Sequence, residues 1–250
     1  MKHRNLYTGL LLAAITTFPS FQATADTLGI TVSAGSWMPD VTGEFTDSAT
    51  IIDVQQDLGI TDTDSGVYSF SFEHFIFLLP NIKVQSTGLD IQSTSIMTTD
   101  IIFEDIVYPI GTEVSSQVDL SHVDYILYYE VLDNWVSLDL GLSVLNFNGV
   151  ISMQSEGQIS EIELDEYLPA IYGNASVELP VGFSLGARGN LFSTGDGNIF
   201  DYEVYLGWES DFALGAEVGY HQFTLDWEDI SDSYGDLSYD GYYASITLHF

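Results

Sequence analysis

The chain has 250 residues, and its 37 Asp and Glu face only 4 Lys and Arg, a formal net charge of −33. A surface this acidic repels phosphate backbones, whose binding depends on Lys and Arg displacing counterions, so nucleic acid is excluded as a partner. The absence of Cys excludes disulfides, thiolate metal sites, cysteine nucleophiles and a lipid-bearing N-terminal Cys. High charge with few apolar residues would signal disorder, yet 46% of the chain is hydrophobic and 14% aromatic, as in a folded or membrane protein.

At the N-terminus, Lys2 and Arg4 form a short positive region ahead of an apolar stretch from Leu6 to Phe18. The small-x-small triplet Ala23-Thr24-Ala25 follows, so an export signal is expected over 1–25, cleaved before Asp26. Its apolar run is well short of the ~20 residues of a membrane-spanning helix. Cleavage leaves Lys83 and Arg188 as the only bases, for a net charge of 2 − 37 = −35. Residues 26–250, read as one domain, contain no long apolar run, which leaves a periplasmic, secreted or outer-membrane β-barrel protein.

From Asp26 onward, apolar residues recur at every second position, the period of β-strands. Ten strands are predicted, at 27–38, 67–78, 81–92, 117–131, 134–147, 166–178, 182–193, 198–209, 211–225 and 238–250, with eight as the alternative count. The last is the clearest: Tyr242, Ala244, Ile246, Leu248 and Phe250 share one face, and Tyr243, Ser245, Thr247 and His249 the other. The third slips phase near Gly88, where a bulge is expected.

Alternation alone fits a soluble sandwich as well as a membrane barrel, and three further features decide. The predicted strands run about 10–13 residues, nearer the ~9–11 that cross a bilayer than the ~5–6 of globular sheets. Trp37, Trp135, Trp208 and Trp227 fall near strand ends, where an interfacial aromatic girdle would place them. Short turns at Leu79-Pro80, Leu132-Asp133, Leu179-Pro180-Val181 and Ser210 alternate with longer connections at 39–66, 93–116, 148–165, 194–197 and 226–237. That is the pattern of periplasmic turns and external loops, so the expected fold is an all-β, antiparallel, up-and-down transmembrane β-barrel.

The terminal segment Tyr242–Phe250, with Tyr242, Ile246, Leu248 and Phe250 in phase, resembles the aromatic-ended signature of Gram-negative outer-membrane barrels. The resemblance implies recognition by the barrel-assembly machinery. Phe72-Glu73-His74, Leu79-Pro80-Asn81, Tyr128–Trp135, Leu138–Leu142, Leu168–Gly173 and Leu214–Tyr220 resemble a family of uncharacterised proteobacterial outer-membrane β-barrel proteins. That resemblance covers nearly all of 26–250 and implies fold and location, without an activity to carry over.

Residues with catalytic potential are few. His122 and Asp124 share a strand face, as a base and its orienting carboxylate could, but Ser121 points to the other face and no local nucleophile completes the set. Motifs of the omptin proteases, which are also ten-stranded, are missing, and the chain is read as not an enzyme. Asp62-Thr63-Asp64-Ser65-Gly66 with Glu73 echoes a calcium loop, but Gly66 stands at position five instead of six and Tyr68–Phe72 reads as strand. No cofactor is expected.

Acid is concentrated in segments 39–66 and 226–240, which contain no base. Solvated loops among lipopolysaccharide phosphates bridged by divalent cations would carry such acid, and so would a mouth that concentrates cations. Parity places Arg188 inward, since an Arg on the lipid face at mid-membrane costs ~2–4 kcal/mol. A hairpin between Phe192 and Ile199 sets Arg188 opposite Glu203, and a tight turn at Ser210 sets Glu203 opposite Glu217, giving a lumen charge ladder. Two roles remain open. One is a structural or interaction barrel associated with outer-membrane lipids, lipopolysaccharide and divalent cations; the other is a small cation-preferring channel.

Overall fold

The computed structural model describes residues 28–46, 50–195, 197–230 and 233–250. The expected export signal lies outside the described residues. In chain order come β1 (Leu28–Thr46), the two-residue β2 (Ile52–Asp53), β3 (Ser65–His74), β4 (Asn81–Thr87) and β5 (Asp90–Ile96). The hairpin of β6 (Ile101–Phe103) and β7 (Ile106–Tyr108) follows, then β8 (Glu113–Asp119) and β9 (His122–Asp133). The chain continues through β10 (Val136–Ser155), β11 (Gln158–Glu178), β12 (Phe183–Ser193), β13 (Gly197–Glu209), β14 (Leu214–Ile230) and β15 (Ser233–His249).

Antiparallel pairing runs β1-β3-β4-β9-β10-β11-β12-β13-β14-β15 and closes where β15 pairs with β1, making a ten-strand barrel. In the terminal half closure leaves no unpaired edge, the condition for strands to cross hydrocarbon. Phe250 prolongs the seam, exchanging backbone bonds of 2.8 and 2.9 Å with Ile30. Leu28 and Phe250 thus share one end, here called the terminal end. At the opposite, distal end, β8 stays on β10 and β5 pairs with β8, so these two carry the β4–β9 hairpin beyond the barrel.

On β1, β10 and β15 the apolar face changes side along the strand. On β1, Leu28, Ile30, Val32 and Met38 point outward and are exposed, while Gly29, Thr31, Ser33 and Gly35 point inward. Beyond Met38 the outward residues are Asp40, Thr42 and Glu44, and from Trp37 onward the inward face carries the buried Trp37, Val41 and Phe45. On β10 the same exchange occurs between outward Leu140, Leu142 and Val144 and inward Leu145, Phe147, Ile151 and Met153. On β15 it separates outward Ile246 and Leu248 from inward Leu237 and Tyr239.

The terminal half therefore wears an apolar belt. On β1 it spans Leu28 to Met38, which at ~3.3 Å per residue and a tilt of roughly 40° gives about 25–28 Å, the height of a membrane barrel's apolar band. The distal half has the opposite polarity, with an apolar core inside and acid outside. Segment 50–64 completes its wall beside β1 and delivers Ile52, Val54, Leu58 and Ile60 to that core, each no more than 1% exposed. The β6–β7 hairpin adds Ile101, Phe103 and Tyr108.

Several sequence expectations change for this reason. Segments 148–165 and 226–237 are largely strand: β10 and β11 meet at Glu156 (φ 44) and Gly157 (φ 88), both in the left-handed region of a tight hairpin turn. β1 likewise runs to Thr46, well past position 38. The second strand stops at His74, before position 78. Near Gly88 the strand breaks after Thr87, and β5 moves to a new partner. Of the four Trp, Trp135 and Trp208 are exposed on the belt, whereas Trp37 and Trp227 point into the distal core.

Trp37→Ala should cost ~3–5 kcal/mol, as for a large side chain removed from a packed core. Trp135→Ala, on an exposed ring, should cost far less. The temperature at which the folded gel band converts to the unfolded one measures both, and equal shifts would place Trp37 outside the core.

Candidate functional site: the charged lumen

The lumen of the terminal half is filled by polar side chains in layers, each set by strand register. Nearest the terminal end, the Tyr128 hydroxyl donates to Glu73 Oε1 at 2.6 Å, and Asn174 Nδ2 donates to Asp139 Oδ2 at 2.8 Å. The Tyr205 hydroxyl in turn donates to Asn174 Oδ1 at 3.0 Å.

Arg188 dominates the next layer. Its guanidinium donates to Glu203 and, at 3.0 and 2.5 Å, to the two oxygens of Glu217. The Tyr243 hydroxyl donates to Glu217 Oε1 at 2.6 Å, and the guanidinium carbon lies 4.7 Å from the centre of the Tyr205 ring. Tyr205 and Tyr243 lie flat across Gly186 and Gly219, where an added Cβ would approach the rings to 2.5 and 2.6 Å. Only glycine leaves room for these rings on the lumen wall.

The register differs from expectation in one respect. Arg188 is opposite Glu203, but Glu203 is opposite His221, and Glu217 is opposite Gly207. The turn occupies residues 210–213 instead of centring on Ser210; Ser210 is held by bonds to Leu214, and Ala213 is at φ 66. Arg188 reaches Glu217 across the intervening β13, so the three charges meet as a cluster and not along one rung.

Above Arg188 a hydrogen-bonded chain links side chains of β10, β12, β13 and β14, passing over β11. Ser143 Oγ donates to Asn190 Oδ1 at 2.7 Å, Asn190 Nδ2 donates to Asp201 Oδ2 at 3.0 Å, and His221 Nε2 pairs with Asp201 Oδ1 at 2.6 Å. The His221 ring stacks on Trp37 with centroids 3.9 Å apart. A second imidazole, His122, donates from Nδ1 to the Leu120 carbonyl at 2.9 Å, lies 3.9 Å from Asp124, and packs on Phe223. The two rings thus mark the boundary between polar lumen and apolar core. Sequence inspection passed over His221 and Asp201, although strand parity already placed them inward with Glu203 and Glu217.

Between Arg188 and the opposite wall lies a cavity of about 200 Å³, bordered by Lys83 and by small hydroxyl residues such as Thr31, Ser33, Ser69 and Ser245. It ends distally at Gly35, Val67 and His221, beneath Trp37. Lys83 and Arg188, the only bases of 26–250, both face this lumen.

The exterior of the distal half has acid without base. Glu44 is opposite both Asp53 and Asp236, Asp236 is opposite Asp226, and Asp40 is opposite Asp240 and bridges to Asp62. Burial and the facing Asp236 carboxylate push Asp226 above the usual carboxylate range. Among the described residues, no three His, Asp or Glu side chains converge to hold a metal ion. Tyr242, Ile246, Leu248 and Phe250 all point outward on the belt. His122 and Asp124 are buried below the apolar core.

No family model matches the sequence, and no curated protein is similar to it. Among solved structures, the outer membrane protease OmpT from Escherichia coli superposes with a TM-score of 0.51 at 10% identity, over 91% of this chain and 98% of that one. The transport unit of the autotransporter AIDA-I from Escherichia coli gives 0.42 at 7% identity, over 93% and 92%. A Pseudomonas aeruginosa FadL homologue gives 0.38 at 8% identity, over 90% of each chain.

Removing one partner of a buried charge pair costs ~3–5 kcal/mol, less where water reaches it. Arg188→Ala should therefore lower the conversion temperature of the folded band, and Glu203→Gln in that background should restore part of the loss. A variant that melts like the parent would mean the cluster contributes nothing to stability. With its closed antiparallel sheet, apolar belt and charged lumen, the chain has the fold of a bacterial outer-membrane β-barrel.

Proposed function

We propose that this is an outer-membrane β-barrel of structural or interaction type, sealed at rest, which holds a rigid acidic β-head above the membrane. On this reading the terminal end faces the periplasm and the distal end faces outward. The observation that carries it is the distal core: Trp37, Phe45, Phe147, Phe223 and Tyr239 fill the barrel where an open pore needs water. The exposed acid rows suit lipopolysaccharide headgroups bridged by divalent cations. The outward Tyr242–Phe250 face suits the barrel-assembly machinery, and membership of the uncharacterised family resembled by the sequence accords with both.

An enzymatic role is disfavoured by the same core. The His122–Asp124 and His221–Asp201 pairs lie beneath it, each residue no more than 6% exposed, and the hydrogen bonds of His221 and Asp201 are spent on their neighbours. A hydrolytic pair needs a path for substrate and a group to activate.

Planar-bilayer recording of the refolded protein tests the sealed state. It should add no stable conductance steps over the lipid baseline. Stable cation-selective steps from the unmodified protein would overturn this reading in favour of an open cation channel.

A further inference from the structure

The core that seals the distal half is not held equally on all sides. Segment 50–64 is bonded to β1 through its backbone, by Val41 N to Thr61 O at 2.9 Å, Val54 N to Gly43 O at 3.1 Å and Thr63 N to Pro39 O at 3.2 Å. Toward β5 the described bonds are two hydroxyl contacts, Ser93 Oγ to Gly59 O at 3.2 Å and Ser95 Oγ to Asp57 O at 2.9 Å. Backbone ladders join neighbouring strands throughout the terminal half; in the distal half residues 158–170 of β11 also lack one toward β12, pairing only with β10, whereas the seam between 50–64 and β5 lies over the lumen cavity. This seam can therefore part without breaking the ladder that closes the barrel in the membrane.

Beneath the seam lie Val67 and Gln85, which border the lumen cavity, and the backbone bond of 3.0 Å from Gly88 to Gly66. Lifting Ile52, Val54, Leu58 and Ile60 out of the core would remove apolar packing above this polar cavity. The cavity wall itself carries Glu203 and Glu217 against Lys83 and Arg188, and the excess of acid belongs to the lumen as a whole, where Glu73, Asp124, Asp139 and Asp201 add to these without a further base. A lumen with this excess concentrates cations and repels anions.

We infer that segment 50–64 is a hinged closure, and that its displacement along the β5 seam turns the sealed lumen into a cation-conducting path. The inference rests on the sealed resting state argued above and adds an open state to it. Small inorganic cations are the species conducted, because the Arg188 cluster and the tyrosines leave only a narrow passage.

The test uses the complete mature protein in planar bilayers, with reversal potentials measured in a potassium chloride gradient and folding checked by heat-modifiable gel migration. Leu58→Asp with Ile60→Asp puts charge into the core from the segment itself and should produce steps whose reversal potential moves toward the potassium equilibrium value. An added Cβ at Gly59 would lie 3.5 Å from the Ser95 Cβ, within disulfide range. Gly59→Cys with Ser95→Cys in that same variant should abolish the steps when oxidised and return them when reduced. Should the Asp variant fail to fold, Ser93→Ala with Ser95→Ala leaves the core intact and should produce conductance steps that the parent lacks, as expected for losing the two hydrogen bonds that hold the seam. Folded variants that stay closed, select anions or conduct despite the cross-link would overturn the hinge. In that case a non-conducting parent would still support the sealed reading, whereas a conducting parent would remove its premise.

Discussion

Each long strand of this barrel passes through two solvents that make opposite demands on it. In hydrocarbon, backbone bonds must be made internally and outward side chains must be apolar; in water, outward side chains must be polar and apolar ones must find a core. A strand with a period of two can meet both demands by exchanging the content of its faces while its register continues. That is what β1, β10 and β15 do at Met38, Val144 and Tyr242. Fully burying a large apolar side chain is worth ~1.5–3 kcal/mol, so the row from Trp37 to Phe45 gives the distal half its own reason to fold.

The charge arrangement follows from the same exchange. An outward belt leaves only the lumen for charged side chains at membrane depth, and both bases of 26–250 are there. Arg188 serves two carboxylates and a tyrosine at once, which offsets the desolvation that a lone buried pair would leave uncompensated. The polar layers end where His221 meets Trp37 and His122 meets Phe223, imidazoles with an aromatic face for the core and a nitrogen for the lumen. Outside, the acid rows have no base from this chain, so their neutralising charge must come from the surroundings.

Much of the membrane half was legible because its alternation is uninterrupted. The phase of Tyr242 through Phe250 located the last strand, and parity put Arg188 inside. What failed did so at the exchange. Leu138, Leu140, Leu142 and Val144 set one parity, and when Leu145 and Phe147 took up the other the pattern resembled the end of a strand. The remaining alternation through Met153 therefore looks like loop in sequence, although it is strand. Trp37 was misplaced for the same reason, since a Trp near the apparent end of a strand looks interfacial unless the new phase is recognised. The register of Glu217 was lost to the four-residue turn at 210–213, whose length depends on the bonds Ser210 makes and not on composition.

Apolar residues of one strand face lipid in the terminal half and the core in the distal half. Tryptophan fluorescence in bilayers of bromine-labelled phospholipid tests this most directly, using variants that retain a single Trp. Trp208, which lies on the belt, should be strongly quenched, and fluorescence from Trp37 should stay close to that in unlabelled lipid. Quenching of Trp37 as strong as that of Trp208 would place it against the bilayer and contradict the exchange of faces.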